Sequence, residues 1–345
     1  MEVVVVCGVG TGEENVRAAE IDVRCVPLSR SGFNPIEEFR SLRALYRAYR
    51  EEQPDLVHHV TIKPVLYGTT AARWSGVPAV VNAVPGMGFV FTRRGPWAAI
   101  RRAFVNLLYR LAMTHPNMRV IIQNTEDMQG FIASAIVDRA HTTLIRGSGV
   151  DLGQFAETPE PSGPVTFLLV GRMLRHKGVA EFVAAAQSVK RKHPDWRFRL
   201  AGDVDPGNPA SLTEAQMAAW HQSGDVEWLG HRDDVAALMR EAHVVCLPSY
   251  REGLPKTLLE AAASGRAMIA SDIAGCREVV RPGVNGLIVP ARTAVPLAEA
   301  MLRLGEDDAM RQRFGRASRQ KAEAVFSIDD VVKHTFRVYE QLLAE

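Results

Sequence analysis

Four side chains in this sequence could do chemistry together. Arg172 and Lys177 lie in "LLVGRMLRHKG", and Glu252 and Glu260 lie in "YREGLPKTLLEAAASG". Two cations beside a strand-to-helix turn at Gly171 suit a diphosphate: an arginine grips oxygens in pairs, and a lysine adds a compact charge. In the second stretch Pro255 fits the first position of a helix that runs to Ser264 and is closed by Gly265. Glu252 is then fixed in the loop before that helix, and Glu260 lies within it. Between them the first-turn N–H groups of Lys256, Thr257 and Leu258 point outward and form an anion site. A ligand with hydroxyls at both ends and a diphosphate between them satisfies all three parts, which describes a nucleotide sugar.

The elements that must position these groups read as alternating strands and helices, the pattern of a parallel sheet flanked by helices. Strands are expected at 3–7, 56–60, 79–84, 119–123 and 142–145, then at 166–170, 197–201, 226–229, 244–247, 267–270 and 286–289. A helix is expected from Asn34-Pro35 onward, carrying Phe39, Leu42, Tyr46 and Tyr49 on one face. Two further helices are expected at 307–326 and 328–344. "FAETPEPSGP" reads as a linker. In doubly wound sheets ligands sit beyond the carboxyl ends of the strands, and the motifs follow strands as that rule requires.

With 345 residues the chain exceeds the usual single-core size of about 250–300, so two domains are expected. An apolar content of 47% and a charged content of 23% exclude a disordered or fibrous protein. Cys7, Cys25, Cys246 and Cys276 are scattered without a C-x-x-C pair, which fits reduced cytoplasmic thiols rather than a zinc site. No apolar run reaches the roughly 20 residues that span a bilayer. Between Asp55 and Glu126 there is no acidic residue, while Lys63, Arg73, Arg93, Arg94, Arg101, Arg102, Arg110 and Arg119 fall in that interval. Such a face is either simply solvated or built to meet phosphates or acidic lipid headgroups.

Other motifs carry less. "VVVVCGVGTGEEN" departs from a dinucleotide fingerprint, because Glu13 stands at the third glycine position and no helix is expected directly after it. Asp203 and Asp205 could hold a divalent metal, but a proline- and glycine-rich loop makes them turn formers. Within "GFVFTRRGPWAAIRRAFVNLLYRLA", Trp97, Ile100, Phe104, Leu108 and Leu111 share a helical face beside Arg101, Arg102 and Arg110. That helix either lies in a membrane interface or is a core helix with a basic outer face.

"GRMLRHKG", "PSYREGLPKTLLEAAASG" and "GCREVVRPGVNGLIVP", in that order, resemble the retaining glycosyltransferases of family 4. "HHVTIKPVLYGTTAAR", "SGVDLGQF" and "GDVDPGNP" are similar to its capsule, O-antigen and lipid-linked-oligosaccharide branch, which includes bacillosamine-primed N-acetylgalactosaminyltransferases. The resemblance implies the GT-B fold, two doubly wound Rossmann-like domains facing across a cleft. The implied division is an acceptor domain at 1–155 lacking its first strand, a donor domain at 156–326, and a C-terminal helix at 327–345 packing back toward the first domain. It implies catalysis by Arg172, Lys177 and Glu252, with Glu252 on the donor sugar, Glu260 on the ribose and the two cations on the diphosphate. Gly171, Gly230, Arg232, Gly253, Leu254, Pro255, Thr257 and Leu258 would complete the donor site. His58, Lys63, Tyr67, Gly86, Met87, Gly88, Arg93 and Arg94 would form the acceptor site.

The implied reaction moves a hexosyl or N-acetylhexosaminyl group from a UDP-sugar to an undecaprenyl-diphosphate-linked sugar. It would proceed in the cytoplasm or peripherally on the inner face of an anionic membrane. No cofactor, metal or nucleic acid is implied. Two departures stand out: the chain begins as if at the family's second strand, and "NAVPGMG" lacks the histidine common there. His58 or His59 could substitute, although a histidine at a strand end is more often structural. The alternatives are a nucleotide-sugar 2-epimerase of the same fold and an inactive paralogue serving as an assembly partner.

Overall fold

Strands such as Val244–Leu247 and Ala267–Ser271 carry apolar residues on both faces, and every one of their side chains is buried. Only a parallel sheet covered on both sides hides such runs. The computed structural model describes residues 2–8, 10, 13–28, 34–85 and 96–344, without the side chains of 15, 96–102 and 104. The chain divides into two compact units, residues 1–122, 127–144 and 335–345, and residues 123–126 and 145–334.

In the first unit β1 (Val4–Gly8) pairs in parallel with β2 (Asp22–Val26). A four-stranded parallel sheet follows in the order β3 (Leu56–Val60), β4 (Ala79–Val84), β5 (Met118–Ile122) and β6 (Thr142–Leu144). The helix expected to be missing after β1 is present: α1 spans Glu13–Ala18. Glu13 accepts from the Gly10 N–H at 3.1 Å and, with Glu14, puts acids in the first turn, where a dinucleotide phosphate would need to sit. Helix α2 (Pro35–Glu52) starts as expected, with the Asn34 side chain accepting from the Ile36 N–H at 3.1 Å. Of the face expected there, Tyr49 is buried and Leu42 and Tyr46 pack partly buried against the core, while Phe39 does not. Phe39 is 64% exposed, and the face toward the core runs through Glu38, Ser41, Leu45, Ala48 and Tyr49. Polar Glu38 and Ser41 break the apolar period that the sequence reading relied on; Glu38 is buried because Lys63 pairs with it at 2.6 Å.

Helices α3 (Thr69–Ser75) and α4 (Pro96–Ala112) complete the layer over this sheet, and α5 (Thr125–Ala133) follows β5. Tyr109, Ala112 and Met113 turn inward, while Leu107 and Leu111 face solvent.

The second unit holds β7 (Thr166–Val170), β8 (Arg197–Ala201), β9 (Glu227–Trp228), β10 (Val244–Leu247), β11 (Ala267–Ser271) and β12 (Gly286–Val289). Their sheet order is β12-β11-β10-β7-β8-β9, all parallel where paired. The chain fills one half from β7 outward, then returns to fill the other half from β10 outward. The order therefore reverses between β7 and β10, the point beyond whose carboxyl edge ligands bind in sheets of this kind. Helices α6 (Val179–Lys190), α7 (Glu214–Gln222), α8 (Val235–Glu241), α9 (Lys256–Ala263), α10 (Ala274–Val279), α11 (Ala294–Glu306) and α12 (Asp308–Val325) flank the sheet, and α13 (Ile328–Ala344) closes the chain.

The stretch that reads as a linker is held firmly. Fully buried Arg266 donates to the Thr158 hydroxyl at 2.6 Å and the Met239 carbonyl at 2.8 Å, and Phe155 is itself in the core.

Candidate functional site

The two strands flanking the switch point, β7 and β10, each feed one half of the site. After β7 the chain turns through Gly171 and Arg172 to a short helical turn at Arg175–Lys177, then enters α6 from Gly178. Gly178 has φ +75°, and a Cβ there would lie 2.2 Å from the Pro248 carbonyl, so only glycine lets this turn approach the loop after β10. The Tyr250 N–H donates to the His176 carbonyl at 2.8 Å and closes the same seam.

The result is that Lys177 Nζ donates to Glu252 Oε1 at 2.6 Å. Both groups are half-buried rather than sealed. Nearby, α9 begins at Lys256 with Pro255 as its cap, one residue later than the sequence suggested, and no side chain caps it. The Leu258 N–H bonds the Pro255 carbonyl at 3.0 Å, which removes Leu258 from the expected set of free donors and leaves Lys256 and Thr257 ahead of it. The Thr257 hydroxyl reaches the Val170 carbonyl at 3.3 Å, tying α9 to the end of β7. Glu260 is buried one turn on, with Lys256 Nζ at 3.5 Å, and burial pushes its carboxyl pKa up against the pull of that lysine.

Arg172 is exposed and donates from Nη1 to Asp205 Oδ2 at 2.8 Å. Gly230 has φ +63°, and its carbonyl accepts from the Gly202 N–H at 2.7 Å, which brings the turn after β9 to the same edge. Arg232 lies on that turn in a two-pronged contact with Asp234, at 2.7 Å and 2.5 Å. Gly171, Arg172, Lys177, Gly230, Glu252, Gly253, Leu254, Pro255, Thr257, Leu258 and Glu260 thus gather at one sheet edge.

Two supports escaped the sequence reading. Fully buried Asn124 donates from Nδ2 to the Gly253 carbonyl at 3.0 Å. Gly275 in α10 lies so close that a Cβ there would meet the Gly253 carbonyl at 2.3 Å and the Glu252 carbonyl at 2.7 Å. A polar residue directly after β5 was the available signal for Asn124; for Gly275 it was its place at the head of "GCREVV".

In the first unit His58 Nδ1 lies 2.5 Å from the Tyr339 hydroxyl, and burial lowers its pKa to about 4. His59 is a satisfied core histidine: Nε2 meets the Tyr49 hydroxyl and Nδ1 meets Asn82 Oδ1, each at 2.9 Å. Burial brings its pKa to about 4 as well, so both imidazoles are neutral at pH 7. Tyr67 leans on Glu38, the partner of Lys63, and its hydroxyl pKa is pushed up by burial and by that carboxylate. Gly86, Met87, Gly88, Arg93 and Arg94 lie outside the described residues, as do the side chains of Trp97, Ile100, Arg101, Arg102 and Phe104.

Comparison with known proteins matches this geometry to a family. Residues 153–321, which hold the Lys177–Glu252 pair and the start of α9, match the profile of the glycosyl transferases group 1, and residues 1–124 match that of glycosyl transferase 4-like proteins. The chain belongs to these glycosyltransferases.

One relative of this glycosyltransferase is the N,N'-diacetylbacillosaminyl-diphospho-undecaprenol alpha-1,3-N-acetylgalactosaminyltransferase of Campylobacter jejuni. It is 26% identical over 96% of this chain and 88% of its own length. A second is the UDP-Gal:alpha-D-GlcNAc-diphosphoundecaprenol alpha-1,3-galactosyltransferase of Escherichia coli, 27% identical over 86% of this chain and 76% of its own. Among solved structures, sucrose-phosphate synthase from Thermosynechococcus elongatus superposes with a TM-score of 0.79 at 22% identity, covering 94% of this chain and 84% of its own. Anabaena HepE in complex with UDP-glucose gives 0.77 at 19% identity, over 99% and 92% of the two chains. The fold is GT-B, with two Rossmann-like units.

Proposed function

We propose that this glycosyltransferase moves a hexosyl or N-acetylhexosaminyl group from a UDP-sugar to a hydroxyl of a lipid-diphosphate-linked sugar, with retention at the anomeric carbon. The observation that carries this reading is the Lys177–Glu252 pair at 2.6 Å beside the uncapped first turn of α9, with Glu260 buried behind it. Lys177, Arg172 and that helix end supply positive potential for a diphosphate. Glu252 and Glu260 supply acceptors for hydroxyls on either side. In the reaction the bond from the anomeric carbon to the β-phosphate oxygen breaks as the acceptor oxygen bonds the same face. The acceptor's proton passes to the departing diphosphate, and UDP leaves. Charge gathers on that diphosphate, so the cations do most in the transition state.

The names of the C. jejuni and E. coli relatives support an acceptor whose sugar sits on a polyprenyl diphosphate. His58, Lys63 and Tyr67 are the described side chains proposed to meet it. The test is incubation with a panel of UDP-hexoses and UDP-N-acetylhexosamines, with and without N-acetylglucosaminyl-diphosphoundecaprenol. UDP release that needs the acceptor, giving an α-linked disaccharide, is expected. Epimerisation of a UDP-sugar alone, or no turnover with any donor, would contradict it.

A lipid-borne acceptor also calls for peripheral contact with the membrane. Among the described residues no helix is long and apolar enough to cross one. Trp74, Leu107 and Leu111 are 61%, 51% and 63% exposed, respectively, and Arg73 and Arg110 lie beside them. Arg73 Nη1 donates to the Thr114 hydroxyl at 2.6 Å, and that hydroxyl donates to the Leu111 carbonyl at 3.0 Å, so the ends of α3 and α4 form one surface. Of the two alternatives for α4, one gives it a basic outer face; the exposed Leu107 and Leu111 support the interfacial one. Changing Trp74→Ser, Leu107→Ser and Leu111→Ser together is expected to weaken flotation with anionic vesicles about tenfold or more. Undiminished flotation would remove this surface from the account.

A further inference from the structure

Asp205 stands in a loop where an aspartate ordinarily serves the turn. Here other groups shape that turn. Asn208 Oδ1 accepts from the Ala210 N–H at 3.0 Å, Ser211 Oγ accepts from the Asp205 N–H at 2.8 Å, and the Asp205 carbonyl accepts from the Asn208 N–H at 2.8 Å. The Asp205 carboxylate is turned to Arg172 instead, with Oδ2 2.8 Å from Nη1.

The two segments that carry this pair are stitched together by their backbones. The Met173 N–H donates to the Asp203 carbonyl at 2.8 Å, the Arg175 N–H to the Ala210 carbonyl at 2.8 Å, and the Leu212 N–H to the Met173 carbonyl at 2.9 Å. Leu174 and Ser211 add an antiparallel bridge. Asp205 therefore faces Arg172 from a fixed scaffold. One edge of the guanidinium is engaged, while the side chain remains 63% exposed, so the rest of the fork is open to an arriving anion. An exposed arginine left to itself samples many rotamers, and ordering it on binding costs affinity.

We infer that Asp205 is a positioning residue, which holds Arg172 in the orientation that meets the donor diphosphate. This rests on the reading of the second unit as the donor site. A permanent carboxylate beside that arginine could have the opposite effect, by competing with phosphate for it, so the direction of change upon substitution decides.

The experiment is calorimetric titration of UDP into the full chain and its variants. Asp205→Ala is expected to weaken UDP binding about threefold to tenfold. Asp205→Asn should lose less, because its amide oxygen still accepts from Nη1. Adding Asp205→Ala to Arg172→Ala should cause no further loss, since the effect passes through the arginine. A residue that only shaped the loop would add its loss to that of Arg172→Ala, and one that only repelled phosphate would bind UDP more tightly when neutralised. Either result overturns the inference. If Asp205→Ala lowers the thermal midpoint, the near-isosteric Asp205→Asn, alone and with Arg172→Ala, decides by the same criteria. A parent chain that fails to bind UDP would remove the donor-site reading itself, and the role of Asp205 with it.

Discussion

Replacing Lys177 with alanine is expected to lower the turnover of a UDP-sugar by about 10²–10³-fold, the usual loss when one oriented donor to a developing negative charge is removed, about 2.7–4 kcal/mol. The ammonium lies 2.6 Å from Glu252 and so does two jobs. It is proposed to meet the departing diphosphate, and it pairs with the carboxylate proposed to hold the donor sugar. Removing it leaves a half-buried carboxylate unpaired, which costs about 1–3 kcal/mol of stability and lowers the thermal midpoint without unfolding the chain. Lys177→Arg keeps the charge but not the compact geometry, and it is expected to fall between the two. Steady-state kinetics with thermal melts on the three proteins separate these effects. Turnover of Lys177→Ala within a few-fold of the parent would take Lys177 out of the chemistry.

Gly275→Ala should be nearly as damaging, although the side chain at 275 would touch no ligand directly. Its Cβ would sit 2.3 Å from one backbone oxygen and 2.7 Å from the next, those of Gly253 and Glu252. Neither oxygen is the end of a flexible side chain, so the loop must move by about 1 Å, a displacement that can cost about 10²-fold in rate when it shifts a reacting group. Asn124 also holds the Gly253 carbonyl, at 3.0 Å, so the shift would strain that hydrogen bond. Overpacking of this kind costs about 1–3 kcal/mol, so the protein stays folded. Donor turnover, UDP affinity and the thermal midpoint are the readouts. A variant that kept full turnover would show that the position of the Glu252 loop does not govern catalysis.

Much of the second unit was legible in its sequence because its central strands are continuous apolar runs buried on both faces. Thr166–Val170, Val244–Leu247 and Gly286–Val289 lie where continuous apolar runs put them. β2 was not legible: Asp22 and Arg24 interrupt its apolar residues, and it belongs to a two-stranded sheet with only partial cover. On α2 the expected Phe39 faces solvent and Glu38 is buried instead, because burial of Glu38 depends on Lys63, a partner from another element that no local period reveals. The residues proposed for the donor side stand out in the sequence because glycine, proline and acids at fixed offsets leave a pattern along the chain. Asn124 left none, since the carbonyl it holds is 129 residues away. Asp205 reads as a turn former, and its backbone does shape the turn, but its pairing with Arg172, 33 residues away, leaves no local mark.

The first unit depends on different physics. His58 and His59 carry no charge near neutrality, since burial keeps both pKa values near 4. The unfolded chain takes up their protons below about pH 6.5, so the stability that these two neutral imidazoles contribute is complete above that pH. It declines as the pH falls from there toward 4.

The measurement that tests the central claim most directly is a crystal structure of the full chain soaked with UDP. The diphosphate is expected within hydrogen-bonding reach of Lys177, Arg172 and the first turn of α9, with the ribose hydroxyls on Glu260. UDP bound in the first unit, or in the second unit away from the edge where β7 and β10 meet, would contradict it.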